Sequence, residues 1–330
     1  MKICVYGAGA IGGSIAVRLS RAGADVSVVA RGEHGRAIRR SGLTLLSGAD
    51  RYCARLPCVE DPAQLPPQDI VVVTVKGPGL PAIADPLRRM LGPDTRLVFI
   101  MNGIPWWFGA GLDVALPDSL LNMLDPGALL RRAFPADRII WGVVYSSNEV
   151  IEPGVICNST PRNRLCLGKP DGTSDPRLDE LVALLTRAGY TAQTSAAIRQ
   201  EVWIKMLVVV GASPVCALTG GSMEDLIRDA GTRDLVATVM REAAATGRRL
   251  GFTIPDDIDQ RLAYYGDATI PVRPSMQQDF EAGREPEIES GILAFTAIAA
   301  ALGQKAPAMD VVATLVRAKK KFLRLPTLAR

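Results

Sequence analysis

A glycine-rich segment near the N-terminus constrains the fold of this chain more than any other feature. It lies between the run Ile3–Tyr6, which is typical of a strand, and the segment Ile11–Arg21, which is typical of a helix. A Gly-x-Gly-x-x-Gly motif is informative when it links a strand to a helix, because this is the context in which it binds a dinucleotide. The predicted phosphate-binding residues are Gly7, Ala8, Gly9, Ala10, Ile11 and Gly12.

Each glycine of this motif has a distinct predicted role. Gly7 allows a tight turn, Gly9 lets the backbone approach a pyrophosphate, and Gly12 allows the helix to pack closely on the strand. The helix N-terminus supplies N–H donors and the positive end of the helix dipole. The alternative is a glycine-rich turn that binds no ligand. The position of the motif between a strand and a helix favours the dinucleotide site.

The first part of the chain alternates β-rich runs with helical patterns. Ile70–Val75 is apolar and largely β-branched, as expected for a parallel strand buried on both faces. Further strands are predicted at Asp25–Ala30 and Arg96–Ile100, and a helix at Pro81–Met90. This alternation predicts βαβ units that form a doubly wound sheet.

The pattern changes near residue 196, where long helical segments replace the strand runs. Helices are predicted at Arg233–Leu250, Ile288–Leu302 and Ala308–Phe322. A chain of 330 residues is long for a single core. We therefore predict an α/β fold with two domains, a Rossmann-type doubly wound sheet in residues 1–195 that binds the cofactor and an all-helical domain in residues 196–330 for substrate or dimerisation.

Composition argues against several classes of partner. The net charge is +4, with acidic and basic residues mixed along the chain, which is too mild and dispersed for a nucleic-acid-binding protein. A basic tail around Lys319–Lys321 is explained as a solvated last helical turn, where cations complement the helix dipole. We expect a small-molecule substrate and no nucleic-acid partner.

Cysteine spacing and hydropathy also limit the possibilities. The six cysteines form no C-x-x-C pair, so we predict neither a metal site nor a disulfide framework. The longest uncharged apolar stretch, Met206–Leu218, is shorter than the roughly 20 residues that a membrane span needs. We expect a soluble cytoplasmic protein without a membrane contact.

Arg31 follows the second predicted strand, at the position that reads the adenosine ribose in dinucleotide-binding folds. An acidic residue there hydrogen-bonds the 2′-hydroxyl, whereas an arginine accommodates a 2′-phosphate. Asp25 lies at the opposite end of that strand. The alternative is that Arg31 only caps a loop in solvent. We predict that the cofactor is NADPH rather than NADH.

Reduction of a carbonyl also needs a proton donor. The only histidine, His34, lies beside the predicted ribose pocket and is interpreted as a helix-start or adenine-side residue. Lys205 is the better candidate, because burial lowers the pKa of a lysine towards neutrality. A lysine that extends its ammonium group to the surface is the alternative, and the helix pattern leaves both open. Lys205 belongs to an apolar stripe formed by Ile198, Val202, Lys205 and Val209.

Three acidic residues lie around the start of the next predicted helix, which we place at Glu287. Glu285, Glu287 and Glu289 could each complement the dipole at a helix N-terminus. The pattern alone selects none of them.

Five short motifs together resemble those of the ketopantoate reductase family. They are G-A-G-A-I-G-G at 7–13, T-V-K at 74–76, N-G-I-P-W-W at 102–107, E-V-W-I-K at 201–205 and S-M-Q-Q-D at 275–279. The resemblance covers essentially the whole chain. It implies a Rossmann domain that carries NADPH, a helical domain that closes over it, and reduction of 2-dehydropantoate to pantoate.

The resemblance also implies roles for individual residues. Lys205 matches the proton donor to the ketone oxygen, and Glu287 matches the acidic residue that binds substrate and orients the site. Ser275 matches the serine that holds the substrate carboxylate. Lys76 and Asn102 match residues at the junction of cofactor and substrate.

Two positions depart from the family pattern. The family usually has asparagines four and eight residues after the lysine, where this chain has Val209 and Ser213. The loss of a polar partner on a buried group typically costs about 1–3 kcal/mol. We therefore hypothesise that the substrate is a bulkier or more apolar 2-oxo acid, with Ser213 still a candidate for contact with it.

The sequence alone leaves several alternatives open for the reaction, the tryptophan loop and the oligomeric state. An opine- or imine-type NADPH reductase would share the fold and the lysine, and the fold could serve a reaction without redox chemistry. Trp106 and Trp107 could line an enlarged pocket or lid, or anchor their loop on the core. A homodimer is possible, because the apolar helices could pack against each other or against a second subunit.

Overall fold

The computed structural model describes residues 1–160, 163–266 and 272–323. The chain divides into two compact units. Met1–Met101 and Leu130–Ile198 form the first unit, and Asn102–Leu129 joins the chain from Arg199 onward in the second. The predicted boundary after residue 195 lies close to this division, but the prediction placed 102–129 in the first domain. That segment follows a strand of the sheet and contributes its aromatic side chains to the second unit.

The described strands form two sheets in the first unit, and the larger confirms the predicted doubly wound fold. Its order is β12-β11-β8-β7-β6-β1-β2-β5, parallel throughout except for the antiparallel pair β8 and β11. The smaller sheet has the order β4-β3-β10-β9. The strands are β1 Lys2–Tyr6, β2 Asp25–Val29, β3 Leu43–Ser47, β4 Asp50–Ala54, β5 Cys58–Val59, β6 Ile70–Val73, β7 Arg96–Ile100, β8 Ile139–Tyr145, β9 Asn148–Glu152, β10 Val155–Asn158, β11 Arg164–Gly168 and β12 Thr191–Thr194.

Strand β1 lies at the centre of the larger sheet, between β2 and β6. Tyr6, at its end, is in register with Val29 of β2 and Val73 of β6. The carboxyl ends of the three strands therefore coincide, and the segments that follow them emerge at one edge of the sheet. Ligands of doubly wound folds bind at this edge.

The helices of both units are amphipathic or buried, as their packing requires. They are α1 Ala10–Arg21, α2 Gly32–Ser41, α3 Leu80–Arg89, α4 Asp118–Leu124, α5 Leu129–Ala133, α6 Pro176–Arg187, α7 Ile198–Thr219, α8 Met223–Arg228, α9 Ala230–Arg249, α10 Ile258–Gly266, α11 Ser275–Glu281, α12 Ala294–Ala301 and α13 Pro307–Phe322. Helix α8 begins with a capping box, in which Ser222 and Asp225 are bonded reciprocally.

One predicted helix is wrong in detail. The segment Ile288–Leu302 was predicted as continuous, but residues 284–288 have no regular structure and Glu289–Leu293 forms one π-helical turn before α12. Gly291, inside that turn, has a ψ of −120°, which is not helical. Short π-helical segments are frequent at functional sites, because they re-aim the side chains on either side.

Helix α7 forms the core of the second unit. Its Trp203 stacks on Phe295 at 4.1 Å between ring centroids and on Phe108 at 5.9 Å. The helix has 22 residues and is long and apolar enough to cross a membrane by length and composition. However, 67% of its apolar window is buried inside the protein. The core helix of a packed domain has the same properties.

Candidate active site

The glycine turn is held at the end of β1 by contacts from three neighbouring segments. The Gly7 N–H donates to the Val29 carbonyl at 3.0 Å, and the Thr74 hydroxyl donates to the Gly7 carbonyl at 2.6 Å. Gly7 has a φ of +97°, a conformation that favours glycine. A Cβ on Gly12 would overlap with the Gly7 carbonyl and the Thr74 hydroxyl, so only glycine permits this approach of α1 to the sheet.

The start of α1 fits a phosphate group. Gly9 is the N-cap, so no side chain caps the first N–H groups of the helix, and its first turn contains no acidic residue. A Cβ on Gly9 would meet no protein atom within 4 Å, which leaves open space against the backbone. These features suit the pyrophosphate of a dinucleotide.

His34 supports the glycine turn. Its Nδ1 accepts the Gly154 N–H at 3.1 Å, so its Nε2 carries the proton and donates to the Ala8 carbonyl at 2.7 Å. The sequence analysis placed His34 at a helix start near the ribose pocket, and the residue lies in the first turn of α2. Its two bonds to the backbone account for the residue without an acid–base role.

Arg31 lies in the same cleft of the first unit as Gly7, Ala8 and Gly9. It is exposed and forms the N-cap of α2. Tyr6 lines this cleft as well, where burial raises its pKa and the charge of Arg31 opposes the shift. The other residues that line the cleft are Val29, Ala30, His34, Glu60, Asp61, Pro62, Ala63, Val75, Ala82, Ile83, Pro86 and Arg89.

The acidic residues of this cleft have partners of their own. Glu60 forms an ion pair with Arg39 at 2.9 Å, and Asp61 accepts the Ala63 N–H at 3.0 Å. Asp25 lies at the opposite end of β2, in register with Lys2. The positive charge of Arg31 is therefore available to an anionic ligand in the cleft.

Lys205 lies on α7 in the second unit, and it reaches the small cleft of this unit through Asn102, which lines the cleft. It is partly buried, and its Nζ donates to Oδ1 of Asn102 at 2.6 Å. Burial lowers the pKa of Lys205 to about 8, and the negative charge of Glu287 opposes this shift. The lysine therefore titrates near neutral pH, as a proton donor requires.

The loop that carries Asn102 is fixed on both sides. The Gly103 N–H donates to the sulfur of Met206 at 3.3 Å, and the Ile104 N–H donates to the Ser290 carbonyl at 2.6 Å. Gly103 has a φ of +96°, and a Cβ there would overlap with Ser290. These contacts fix the position of Asn102, and so the direction of its hydrogen bond with Lys205.

Four of the predicted substrate-side residues line this cleft, namely Asn102, Ser213, Ser275 and Glu287. Val209 lines it as well, so both positions that depart from the family pattern lie at its surface. Its remaining lining residues are Gly103, Met206, Val210, Pro214, Met276, Asp279, Ser290, Gly291 and Ile292.

Two polar residues of this cleft were not predicted as site residues. Asp279 is buried and accepts from Nε of Arg284 at 2.9 Å. It lies one helical turn after Ser275 on α11, a spacing that could have indicated a shared face. Ser290 lies in the π-helical turn, which no helical or strand pattern reveals.

Glu287 projects from a tight turn. The Ile288 N–H donates to the Pro286 carbonyl at 3.0 Å, which closes a three-residue turn with Glu287 at its centre. Pro286 and Ile288 are buried, and Glu287 between them faces the cleft. The predicted helix start at Glu287 is wrong, because this turn precedes the first helical residue.

Trp106 and Trp107 are buried and do not line the cleft. Phe108 packs between Trp203 and Phe252, and Arg199 donates to the carbonyls of Phe108 and Ala110. The aromatic segment therefore anchors its loop on the second unit, which was one of the two interpretations of the sequence.

Lys76 and the first helical residues complete the predicted site residues. Lys76 is exposed and follows the strand run of β6, where it precedes a short 3-10 helix at Gly77–Gly79. Ala10, Ile11 and Gly12 form the first turn of α1. The predicted role of Lys76 beside Asn102 stays a prediction.

Two family models match the chain. The model described as ketopantoate reductase PanE/ApbA matches residues 3–106, and the model of the C-terminal part of the same family matches residues 197–320. Together with the doubly wound sheet and its glycine turn, these matches indicate an oxidoreductase that uses a nicotinamide cofactor.

The relatives identify the family within this class. A 2-dehydropantoate 2-reductase of Mesorhizobium japonicum is 36% identical over 96% of this chain and 97% of its own. A structure from Ralstonia solanacearum, described as a ketopantoate reductase, is 32% identical with a TM-score of 0.88, over 98% of this chain and 99% of its own. The chain belongs to the ketopantoate reductase family, and it is an oxidoreductase of the 2-dehydropantoate 2-reductase type.

The fold also accommodates other reductases. A D-mandelate dehydrogenase in complex with NADH and anilino(oxo)acetate has a TM-score of 0.82 and is 21% identical, over 98% of this chain and 100% of its own. At this identity the likeness concerns the fold alone.

Proposed function

We propose that this protein reduces a 2-oxo acid to the 2-hydroxy acid with NADPH, and that Lys205 donates the proton to the carbonyl oxygen. The observation that carries the proposal is the hydrogen bond from Lys205 to Asn102, a residue that lines the same cleft as Glu287. Membership of the ketopantoate reductase family supports the reaction class.

Each residue at or beside the cleft has a separate role in the proposed reaction. The reduced nicotinamide, when bound, supplies the hydride that the carbonyl carbon accepts. Lys205 transfers a proton to the carbonyl oxygen, so the ketone becomes an alcohol and the lysine becomes neutral. Asn102 fixes the direction of the ammonium group, and the charge of Glu287 keeps it protonated against the effect of burial. Ser275, at the start of α11, hydrogen-bonds the substrate carboxylate.

The cleft favours a substrate with an apolar group beyond the ketone. Val209 and Ser213 line it at the positions where the family usually has asparagines, and most of its other lining side chains on α7 are apolar. A site that hydrogen-bonds a substrate hydroxyl rejects the analogue that lacks it by a factor of about 10⁴–10⁵, whereas an apolar pocket discriminates weakly. We therefore expect little dependence on a hydroxyl at the far end of the substrate.

A pair of substrates that differ by one hydroxyl tests this proposal. Ketopantoate and 3,3-dimethyl-2-oxobutanoate are identical except that the second lacks the terminal hydroxyl. We expect the two values of kcat/KM, measured by NADPH oxidation, to agree within about a factor of 100, because positions 209 and 213 offer no asparagine to the hydroxyl. High kcat/KM with ketopantoate alone would contradict the substrate proposal, and no turnover of any 2-oxo acid would contradict the reaction.

A double variant provides the matched control. Val209→Asn with Ser213→Asn restores the usual family residues at the two cleft positions, so it should shift the ratio of kcat/KM towards ketopantoate. Val208→Asn places an asparagine on α7 at a position outside the lining of the cleft. It should leave the ratio unchanged.

Replacement of Arg31 by aspartate should reverse the cofactor preference. The arginine charge faces the cleft and favours a 2′-phosphate, whereas a carboxylate repels the phosphate and accepts from a 2′-hydroxyl. The loss of a charged hydrogen bond raises the KM for NADPH by about tenfold to a hundredfold. We expect the KM for NADH to fall in the same variant.

Steady-state kinetics with both cofactors at a fixed substrate concentration measures this change. Arg36→Asp is the control, because Arg36 is exposed on α2 outside the lining of the cleft. If Arg31→Asp retains the wild-type ratio of the two KM values, Arg31 does not determine the preference.

A further inference from the structure

The basic tail of the chain departs from its predicted role as a solvated helix end. Lys319 donates to the Ala217 carbonyl and lies 5.3 Å from the centre of the Phe280 ring. The side chain of Lys320 is only 13% exposed. It donates to Glu285 at 2.9 Å and to Glu289 at 2.8 Å. Of the three lysines, Lys321 alone is exposed.

The two partners of Lys320 lie on either side of Glu287. Glu285 precedes the tight turn that carries Glu287, and Glu289 begins the π-helical turn that follows it. One ammonium group thus joins the two ends of a five-residue segment. The segment between them has no regular hydrogen-bond ladder of its own, so its shape depends on such contacts.

The negative charge of the segment makes the link through Lys320 necessary. Three carboxylates lie within five residues, and the side chain of Glu285 is only 13% exposed. Without a cation, Glu285 and Glu289 would repel each other and draw water into the segment. Burial lowers the pKa of Lys320, but its bonds to Glu289 and Glu285 outweigh this effect and raise the pKa overall. The lysine therefore remains charged where both carboxylates need it.

We propose that Lys320 is a positioning residue for the active site, which joins Glu285 to Glu289 and so holds Glu287 at the cleft beside Lys205. The inference rests on the proposed function of Lys205 and Glu287. It assigns a role in the reaction to the last described helix, α13, although Lys320 does not line the cleft.

The pH profile distinguishes this role from a purely structural one. Burial and the charge of Glu287 are the two influences on the pKa of Lys205. If Glu287 moves away, burial acts unopposed and the pKa of Lys205 falls. Asp279 is the other acidic residue that faces the cleft, and it is bonded to Arg284 on its own segment. The pH at which activity declines should therefore move to a lower value.

The experiment compares Lys320→Met with Lys321→Met, an exposed neighbour on the same helix. We expect Lys320→Met to lower kcat about tenfold, because the carboxylate of Glu287 is no longer held in position. We also expect the alkaline limb of the kcat/KM profile to move to a lower pH by at least about half a unit. The dissociation constant for NADPH, measured by fluorescence, should not change. Lys320→Arg, which retains the charge, should restore most of the activity and the wild-type limb.

A second variant and the activity of the wild-type protein distinguish failure of the positioning role from failure of the proposed function. If Lys320→Met does not fold, Glu289→Gln neutralises the more exposed of the two carboxylates and should shift the limb in the same direction by less. If the Lys320 or Glu289 variants retain the wild-type kcat and pH profile, the positioning role is wrong. If the wild-type protein reduces no 2-oxo acid, it is the proposed function that fails.

Discussion

Replacement of Lys205 by alanine should lower kcat by about 10²- to 10⁴-fold, the usual contribution of a positioned proton donor. The ammonium group is held by Asn102 at 2.6 Å, and none of the residues that line the described cleft is a lysine that could replace it. Once it is removed, water must protonate the developing alkoxide. Single-turnover oxidation of NADPH in the presence of saturating 2-oxo acid measures the chemical step directly.

Binding and folding should be unaffected in this variant. Removal of a partly buried charge relieves the cost of its burial, so the melting temperature should not fall. The dissociation constant for NADPH should equal that of the wild type. Lys305→Ala, at an exposed position of the same unit, is the control for loss of a lysine and should retain full activity. If Lys205→Ala also retains its turnover, Lys205 is not the proton donor.

The pH dependence of the wild-type enzyme provides a second measurement of the same residue. The pKa of Lys205 is lowered to about 8, so the residue is protonated, and able to donate, below this pH. Above it, kcat/KM should fall by about tenfold for each pH unit. A profile that stays flat to pH 10 would exclude a donor with this pKa.

The cofactor end of the fold could be predicted because its determinants are local in sequence. Gly7 and Gly12 are five residues apart, and the strand and helix that flank them have clear patterns. The predicted positions of Gly7, Gly9 and Arg31 agree with a cleft at the end of β1 and β2. What the sequence did not reveal was the support from Thr74 and from His34, whose contacts reach across the sheet.

The substrate end depends on contacts between distant residues. Lys205 and Asn102 are 103 residues apart, and no periodic pattern predicts their hydrogen bond. The family resemblance selected both residues without indicating that they touch. The turn that presents Glu287 is irregular, so the helical pattern after it led to a wrong boundary. Lys320 was predicted to be solvated because basic residues are favoured in the last turn of a helix. That preference concerns the helix alone and gives no information about the segment that packs against it.

Gly9 and Gly12 should respond in opposite ways to replacement by alanine. A Cβ on Gly12 would overlap with the Gly7 carbonyl and the Thr74 hydroxyl, and the backbone carbonyl cannot move without loss of the turn. Overpacking of this kind costs about 1–3 kcal/mol of the free energy of unfolding. A Cβ on Gly9 meets no protein atom within 4 Å, so Gly9→Ala should unfold at the same denaturant concentration as the wild type.

The effects on cofactor binding should separate in the same pair. The methyl group of Gly9→Ala occupies the space through which a pyrophosphate approaches the backbone, so it should weaken NADPH binding about tenfold or more in a fully folded protein. Gly92→Ala, where the added Cβ makes an ordinary contact with Thr95 at 3.4 Å, should change neither property. If Gly9→Ala binds NADPH as tightly as the wild type, the open space at the start of α1 does not receive the pyrophosphate, and another part of the cleft must hold it.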